Sequence, residues 1–384
     1  MRNLIVCLDG TENEFSAENT NVVRLFQCLD RDPERQLAYY DPGVGTIWEP
    51  GALTRTSKKI QMMLGLAFGF GVTGKVADAY LFLMQAYQRG DRVYVFGFSR
   101  GALEARALAA LIHRCGLLQP QLASLQRYAM RLFEVPGNFP VVDSFRETFS
   151  ERVDIAFLGI WDTVTSFGNV WSPIHWPNTS NNPSVRSLAH AIAIDERRAF
   201  FRQNRWSPSP GQQVEEVWFP GVHSDVGGGY DVASGRLWAI TLEWMIGHAR
   251  RAGLQFIDSA VESILSAGKT STPDAETNQH DSLTAEWKPL ECVPRSRRSR
   301  RPDGSFGPPQ LMIPALQCGF KGRPRELFTG ERVHRSAIQR FVKRADYRPE
   351  TLTRAGLTLE IATRFFEGPE ETWTVPARAH AAYA

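Results

Sequence analysis

The sequence predicts an α/β fold of three layers, with helices on both faces of a mostly parallel central sheet. Three observations carry that reading. Short apolar runs recur along the chain, mostly uninterrupted rather than alternating, as strands covered on both faces require. Helical stripes lie between them. Several of the runs also end on or near a polar residue able to do chemistry, at the strand ends where open parallel sheets bind ligands.

The runs are residues 4–8, 37–40, 92–96, 155–161 and 214–219. Between the first two, Val22, Leu25, Phe26 and Leu29 repeat at i, i+3, i+4, i+7, with Thr20 or Asn21 placed to cap the helix. Val76, Tyr80, Leu83, Met84 and Tyr87 form a second stripe, which Gly90 is suited to close. Late in the chain, 311–315 reads as another short strand, and 336–343 and 357–366 as closing helices.

Composition excludes several classes. The chain has 384 residues, 43% hydrophobic and 22% charged, with a net charge of +3 that is too small to imply a nucleic-acid partner. Five cysteines without CxxC spacing indicate neither a disulfide framework nor a zinc site, and they fit a reducing compartment. Cys7 and Cys28 fall inside apolar segments and read as packed thiols. The run 4–8 stops at Asp9-Gly10, too soon for a signal peptide. The stretch 60–72 is broken by Gly65, Gly69 and Gly71 and falls short of the ~20 residues that span a bilayer. The expectation is a protein cytoplasmic as synthesised, with any export by a signal-independent system.

Gly97-Phe98-Ser99-Arg100-Gly101 follows the run 92–96 and opens an alanine-rich helical stretch, 102–112. A GxSxG motif alone is weak; strand before and small-residue helix after make it a nucleophile elbow. There a strained serine lifts its hydroxyl above the sheet, and the glycines remove side chains that would collide with neighbouring backbone. The helix N-terminus offers N–H groups to a developing oxyanion. This is the α/β-hydrolase arrangement, with Ser99 as nucleophile. The competing reading is a tight turn whose serine caps the helix.

A serine hydroxyl needs a base. His223, in the glycine-rich stretch after the run 214–219, is the first candidate. His334, in Arg332-Val333-His334-Arg335-Ser336, is the alternative, because many α/β hydrolases place the histidine late. Asp162, directly after 155–161, is the candidate orienting acid, and Asp225, close to His223, is its competitor. The order Ser99, Asp162, His223 is usual for this fold. The oxyanion hole is expected from the backbone N–H of Arg100, with Gly10 or Thr11 as second donor. Asp9 reads as a structural tie for that loop rather than a catalytic group.

Several ordered motifs resemble a known family. They are Leu8-Asp9-Gly10-Thr11-Glu12-Asn13, Tyr39-Tyr40-Asp41-Pro42-Gly43-Val44-Gly45-Thr46, Phe96-Gly97-Phe98-Ser99-Arg100-Gly101-Ala102 and Trp161-Asp162-Thr163-Val164. Ala193-Ile194-Asp195-Glu196-Arg197-Arg198 and the glycine-rich stretch from Gly221 to Tyr230 complete the set. Together they resemble the type VI secretion phospholipase-effector-like α/β hydrolases over roughly residues 1 to 255. The resemblance implies an esterase or phospholipase acting on glycerophospholipid acyl esters, with a role in killing rival bacteria and a triad of Ser99, Asp162 and His223. It implies no cofactor and no metal. One departure stands out: relatives tend to show a Leu-Ser-Asp stretch where this chain has Leu237-Trp238-Ala239.

The expected organisation is a catalytic domain over 1–267, a flexible insertion or linker over 268–307, and a C-terminal segment, 308–384, whose closing helices pack on the catalytic domain. Two apolar insertions, near 48–72 and 166–183, are candidate lids beside the site, suited to an acyl chain or transient contact with a membrane surface. Lys58-Lys59 and the basic run 295–301 are candidates for anionic headgroups, or simply solvated linkers. Two other functional classes stay open. One is a metal-dependent phosphoesterase using Asp9, Asp162, His223 and Asp225. The other is a catalytically inactive binding domain of the same fold.

Overall fold

The computed structural model describes residues 1–10, 18–43, 72–135, 137, 139–164, 168–169, 172–173, 176–297 and 310–377. The elements that build the site are β1 (Asn3–Leu8), α1 (Asn21–Cys28), β2 (Gln36–Asp41), α2 (Val72–Ala86), β3 (Arg92–Phe98) and α3 (Arg100–Cys115). They continue with β4 (Ile155–Trp161), β5 (Ser187–Ala193), β6 (Gln213–Phe219), α4 (His223–Gly227) and α5 (Leu237–Arg251). The C-terminal segment adds β7 (Arg332–His334), α6 (Arg335–Lys343) and β8 (Thr372–Thr374).

One eight-stranded sheet runs in the order β8-β7-β6-β5-β4-β3-β1-β2. Its neighbours are parallel except the β7–β8 pair. From β1 the chain first steps outward to β2, then returns to the other side and builds every later strand there. The order therefore reverses between β1 and β3, and a crevice opens at their carboxyl ends. Ser99 follows β3 at that point.

Strand side chains alternate between two cores, as a period of two requires. Leu4, Val6, Leu8, Val93, Val95, Leu158 and Ile160 pack with α2 and α3 on one face. Ile5, Cys7, Tyr94, Phe96, Phe157 and Trp161 pack with α1 and α5 on the other. Thr20 caps α1 by accepting from Val23 N–H, as its position suggests. The thiols of Cys7, Cys28 and Cys115 are buried and free, and burial pushes each upward, so none is a ready thiolate. A third cluster joins Ile192, Ile194 and Trp218 of the sheet to Val333, Ala337, Ile338, Phe341 and Trp373.

Three expectations change. The strand β5 is not apparent in Ser187-Leu188-Ala189-His190-Ala191-Ile192-Ala193, which lacks the β-branched and aromatic enrichment of its neighbours. Its alanines lie in the core that holds Trp161, Phe157 and Phe219, where small residues make room for large rings. The stretch 311–315 is only partly strand: Gln310–Met312 pairs with Arg295–Arg297, and a helix, Pro314–Cys318, follows. Over the expected linker, residues 274–292 are tied to the catalytic core. Arg236 Nε donates to Asp274 at 2.7 Å, Ser282 Oγ to Glu196 at 3.0 Å, and Ala199 N–H to Glu291 at 2.9 Å. Polar composition suggested a solvated segment; here the polar groups serve partners that are themselves buried. The candidate lid at 48–72 lies outside the described residues apart from Val72, as do Lys58, Lys59, Trp171 and most of the basic run. Of the second insertion, Trp176 is half-buried against Phe133, at 5.8 Å between ring centroids.

Candidate active site

Ser99 stands between β3 and α3 with φ 59° and ψ −119°. The two flanking glycines explain how the chain makes this turn. A Cβ on Gly97 would lie 2.3 Å from the Gly101 carbonyl oxygen, and one on Gly101 only 2.2 Å from that of Leu8. Helix, turn and β1 therefore meet backbone to backbone, which only glycine permits. The Ser99 side chain makes no capping hydrogen bond to α3, so helix capping does not account for it.

Asp162 follows β4, also at positive φ, 36°. Among the described residues three non-glycines have positive φ, and two of them are Ser99 and Asp162. Such strain collects where structure is held for a function. His223 opens the short helix α4 rather than lying in an extended loop, and its Nδ1 meets Asp162 Oδ2 at 2.6 Å. The His223 Nε2 is buried and, among the described residues, has no hydrogen-bond partner. The imidazole is wedged between Phe98, at 4.6 Å, and Phe201, at 4.7 Å between ring centroids. Phe98 is the residue before Ser99, so the ring lies beside the elbow.

Charges around this pair are matched by burial and partners. Burial alone would raise Asp162, but Arg325 and the His223 hydrogen bond outweigh it and hold the carboxyl well below the usual range. Burial lowers His223, opposed by Asp162, and the net shift is downward, so the imidazole is neutral at pH 7. Beneath it, the His223 N–H donates to Glu196 Oε2 at 3.3 Å, and Glu196 pairs with Arg198 at 2.8 Å. Arg198 in turn lies 3.6 Å over the Phe201 ring.

The alternatives are engaged elsewhere. His334 caps α6, accepting from Ser336 N–H at 3.2 Å, and stacks on Phe219 at 4.6 Å. Burial lowers it to about 4. Asp225 accepts from Val222 N–H at 3.0 Å and meets His280 Nδ1 at 2.6 Å, while His280 Nε2 lies 2.9 Å from Ser234 Oγ. Asp9 accepts from Gly10 N–H at 2.7 Å, Thr20 Oγ1 at 2.6 Å and Tyr40 O–H at 3.0 Å, a tie for its loop. That first bond removes the Gly10 N–H as a free oxyanion donor. Arg100 is the first residue of α3, and Thr11 lies outside the described residues. Of the four residues of the phosphoesterase reading, Asp162 and His223 pair with each other while Asp9 and Asp225 serve other networks, and among the described residues no three His, Cys, Asp or Glu side chains form a group able to hold a metal ion. Arg325 and His280 carried no sequence signal; each acts on a partner distant in the chain. Where relatives tend to show Leu-Ser-Asp, Trp238 is buried with the Arg24 guanidinium 3.7 Å over its ring.

Fold and turn define an α/β protein of the hydrolase type, with an elbow at the switch point of its sheet. The comparisons carry this to a family. Residues 2–248 match "T6SS, Phospholipase effector Tle1-like, catalytic domain", and the chain belongs to that family. An uncharacterized protein of Saccharomyces cerevisiae is 34% identical over 227 residues, 54% of this chain and 33% of that protein. Two solved structures are similar at low identity. An uncharacterized protein from Pseudomonas aeruginosa is 20% identical, with a TM-score of 0.41, over 70% of this chain and 49% of its own. The Tle1 effector bound to the VgrG spike of the type 6 secretion system is 18% identical, with a TM-score of 0.35, over 62% and 52%. The chain thus spans about half the length of the solved chains and a third of the yeast protein. Among the described residues no helix is long and apolar enough to cross a membrane.

Proposed function

We propose that the protein is a serine-dependent carboxylic-ester hydrolase acting on phospholipid acyl esters, with Ser99 as nucleophile, His223 as general base and Asp162 as orienting acid. The observation that carries the reading is the His223–Asp162 pair: Nδ1 is fixed at 2.6 Å from the carboxylate while Nε2 is left buried without a partner among the described residues, in a ring lying beside the elbow. A base so arranged is held in the tautomer that accepts a proton at Nε2.

In the proposed reaction Ser99 Oγ attacks the ester carbonyl carbon and gives its proton to His223 Nε2. Asp162 stabilises the imidazolium through Nδ1. The Arg100 N–H and a second backbone donor receive the oxyanion. The imidazolium then protonates the leaving alcohol, and water deacylates Ser99 by the same path in reverse. Membership of a phospholipase-effector family supports the substrate class and an antibacterial effector role.

A fluorophosphonate probe with peptide mapping tests the chemistry. Wild type is expected to label at Ser99, and Ser99→Ala to lose both label and about 10⁴-fold of ester turnover. Labelling that persists in Ser99→Ala, for instance at Ser234, refutes the assignment. For the effector role, wild type directed to a bacterial periplasm should slow growth and Ser99→Ala should not.

A further inference from the structure

A carboxylate has about four acceptor positions, and at Asp162 each is met by a donor fixed in the fold. Oδ1 takes the Ala193 N–H at 3.0 Å and Nη1 of Arg325. Oδ2 takes His223 Nδ1 at 2.6 Å and Arg325 Nη2 at 2.9 Å. Arg325 is itself anchored, Nη1 to the Ala193 carbonyl at 2.8 Å and Nη2 to the Phe201 carbonyl at 2.6 Å. The two side chains are 3% and 0% exposed, so water does not compete for either. Arg325 also lies 163 residues beyond Asp162 and outside the matched span 2–248.

For a carboxylate whose task is to stabilise an imidazolium, a guanidinium neighbour is electrostatically counterproductive. What it offers is geometry: the planar fork engages both oxygens and fixes the plane of the carboxylate. We propose that Arg325 is a positioning residue of the active site, locking Asp162 and through it the orientation of His223. Residues 308–384 then complete the site as well as covering the sheet. The other groups facing His223 are Glu196, through the backbone N–H, and Arg198. Asp225, on the same helix, is turned to His280. The inference rests on the Ser99–His223–Asp162 reading.

The test is the rate of fluorophosphonate labelling at Ser99 in the full chain, followed against pH. Arg325→Met should slow the plateau rate between about 10- and 100-fold, the usual effect of a displaced catalytic group. It should also move the acid limb up by about one pH unit, because a positive charge that repels protonated His223 is gone. Arg325→Lys, which keeps the charge without the fork, should be slowed while its acid limb stays at the wild-type pH. In an Asp162→Asn background, Arg325→Met should change the rate less than about twofold, since the arginine acts through the aspartate.

Wild-type rate and limb in Arg325→Met overturn the inference, as does an undiminished effect in the Asp162→Asn background. Should Arg325→Met fail to fold in a thermal melt, Arg325→Lys decides: a slower rate at an unmoved limb supports the inference, and a wild-type rate overturns it. Wild-type protein that does not label at Ser99 overturns this and the triad reading together. Normal wild-type labelling with indifferent Arg325 variants removes Arg325 alone.

Discussion

In the proposed mechanism, burial sets the pH at which His223 is able to act as base. The imidazole is depressed below its usual 6.5 because the folded interior disfavours its charge more than Asp162 favours it. The base form is therefore present at pH 7, and the acid limb of Ser99 labelling is predicted to fall below pH 6.5. A limb above 6.5 would mean that Asp162 dominates instead. The same shift has a stability consequence of fixed sign. An unfolded chain takes up a proton near pH 6.5 that folded His223 refuses until lower pH, so its contribution is lost as pH falls through that window. At this scale the sequence was informative about Ser99, Asp162 and His223, because each stands directly after a strand or a few residues beyond it, where the backbone alone delivers it to the crevice. Arg325 was silent. An arginine in Gly322-Arg323-Pro324-Arg325 looks like any surface cation until the fold brings it to Asp162.

Two helices carry strain of an electrostatic kind. On α4, His223 faces Asp162 while Asp225, half a turn on, is tied to His280, so both sides of a five-residue helix are pinned by distant segments. On α3, Glu104 is buried with neither carboxyl oxygen hydrogen-bonded among the described residues, and burial raises it to about 8 against the pull of Lys75. A raised carboxyl costs stability as pH climbs from its unfolded value, 4.5, to its folded one. Glu104→Gln should therefore raise Tm, with a gain that grows between pH 4.5 and 8 and then levels off. A gain independent of pH would show that the fold leaves the Glu104 carboxyl at its unfolded value. Strand β5 marks the limit of propensity reading at this scale: its alanines are chosen by the rings opposite, information that a local window does not contain.

Across the whole molecule, the C-terminal segment is part of one core. Ile192, Ile194 and Trp218 are buried by α6 and its neighbours, and β7 and β8 extend the sheet past β6. A chain ended at residue 267 would expose that apolar face and lack Arg325. It is predicted to bind a hydrophobic dye, to lose cooperative unfolding and to show no labelling at Ser99. A soluble, labelling-competent truncation would show instead that residues 1–267 are self-sufficient. The alternation of strands and helices was readable because buried parallel strands announce themselves as continuous apolar runs. The tying of 274–292 to the core was not, since buried polar contacts and solvated ones use the same residues.

The left-handed turn at Ser99 has a consequence for how this chain changes over generations. Glycine adopts φ near +59° without penalty, whereas serine there costs about 1–3 kcal/mol. Mutation acting on a domain kept only for binding would drift downhill to glycine at this position and gain stability on the way. Serine in such a turn is a standing load on the fold, and the proposed use of its hydroxyl would oppose the drift.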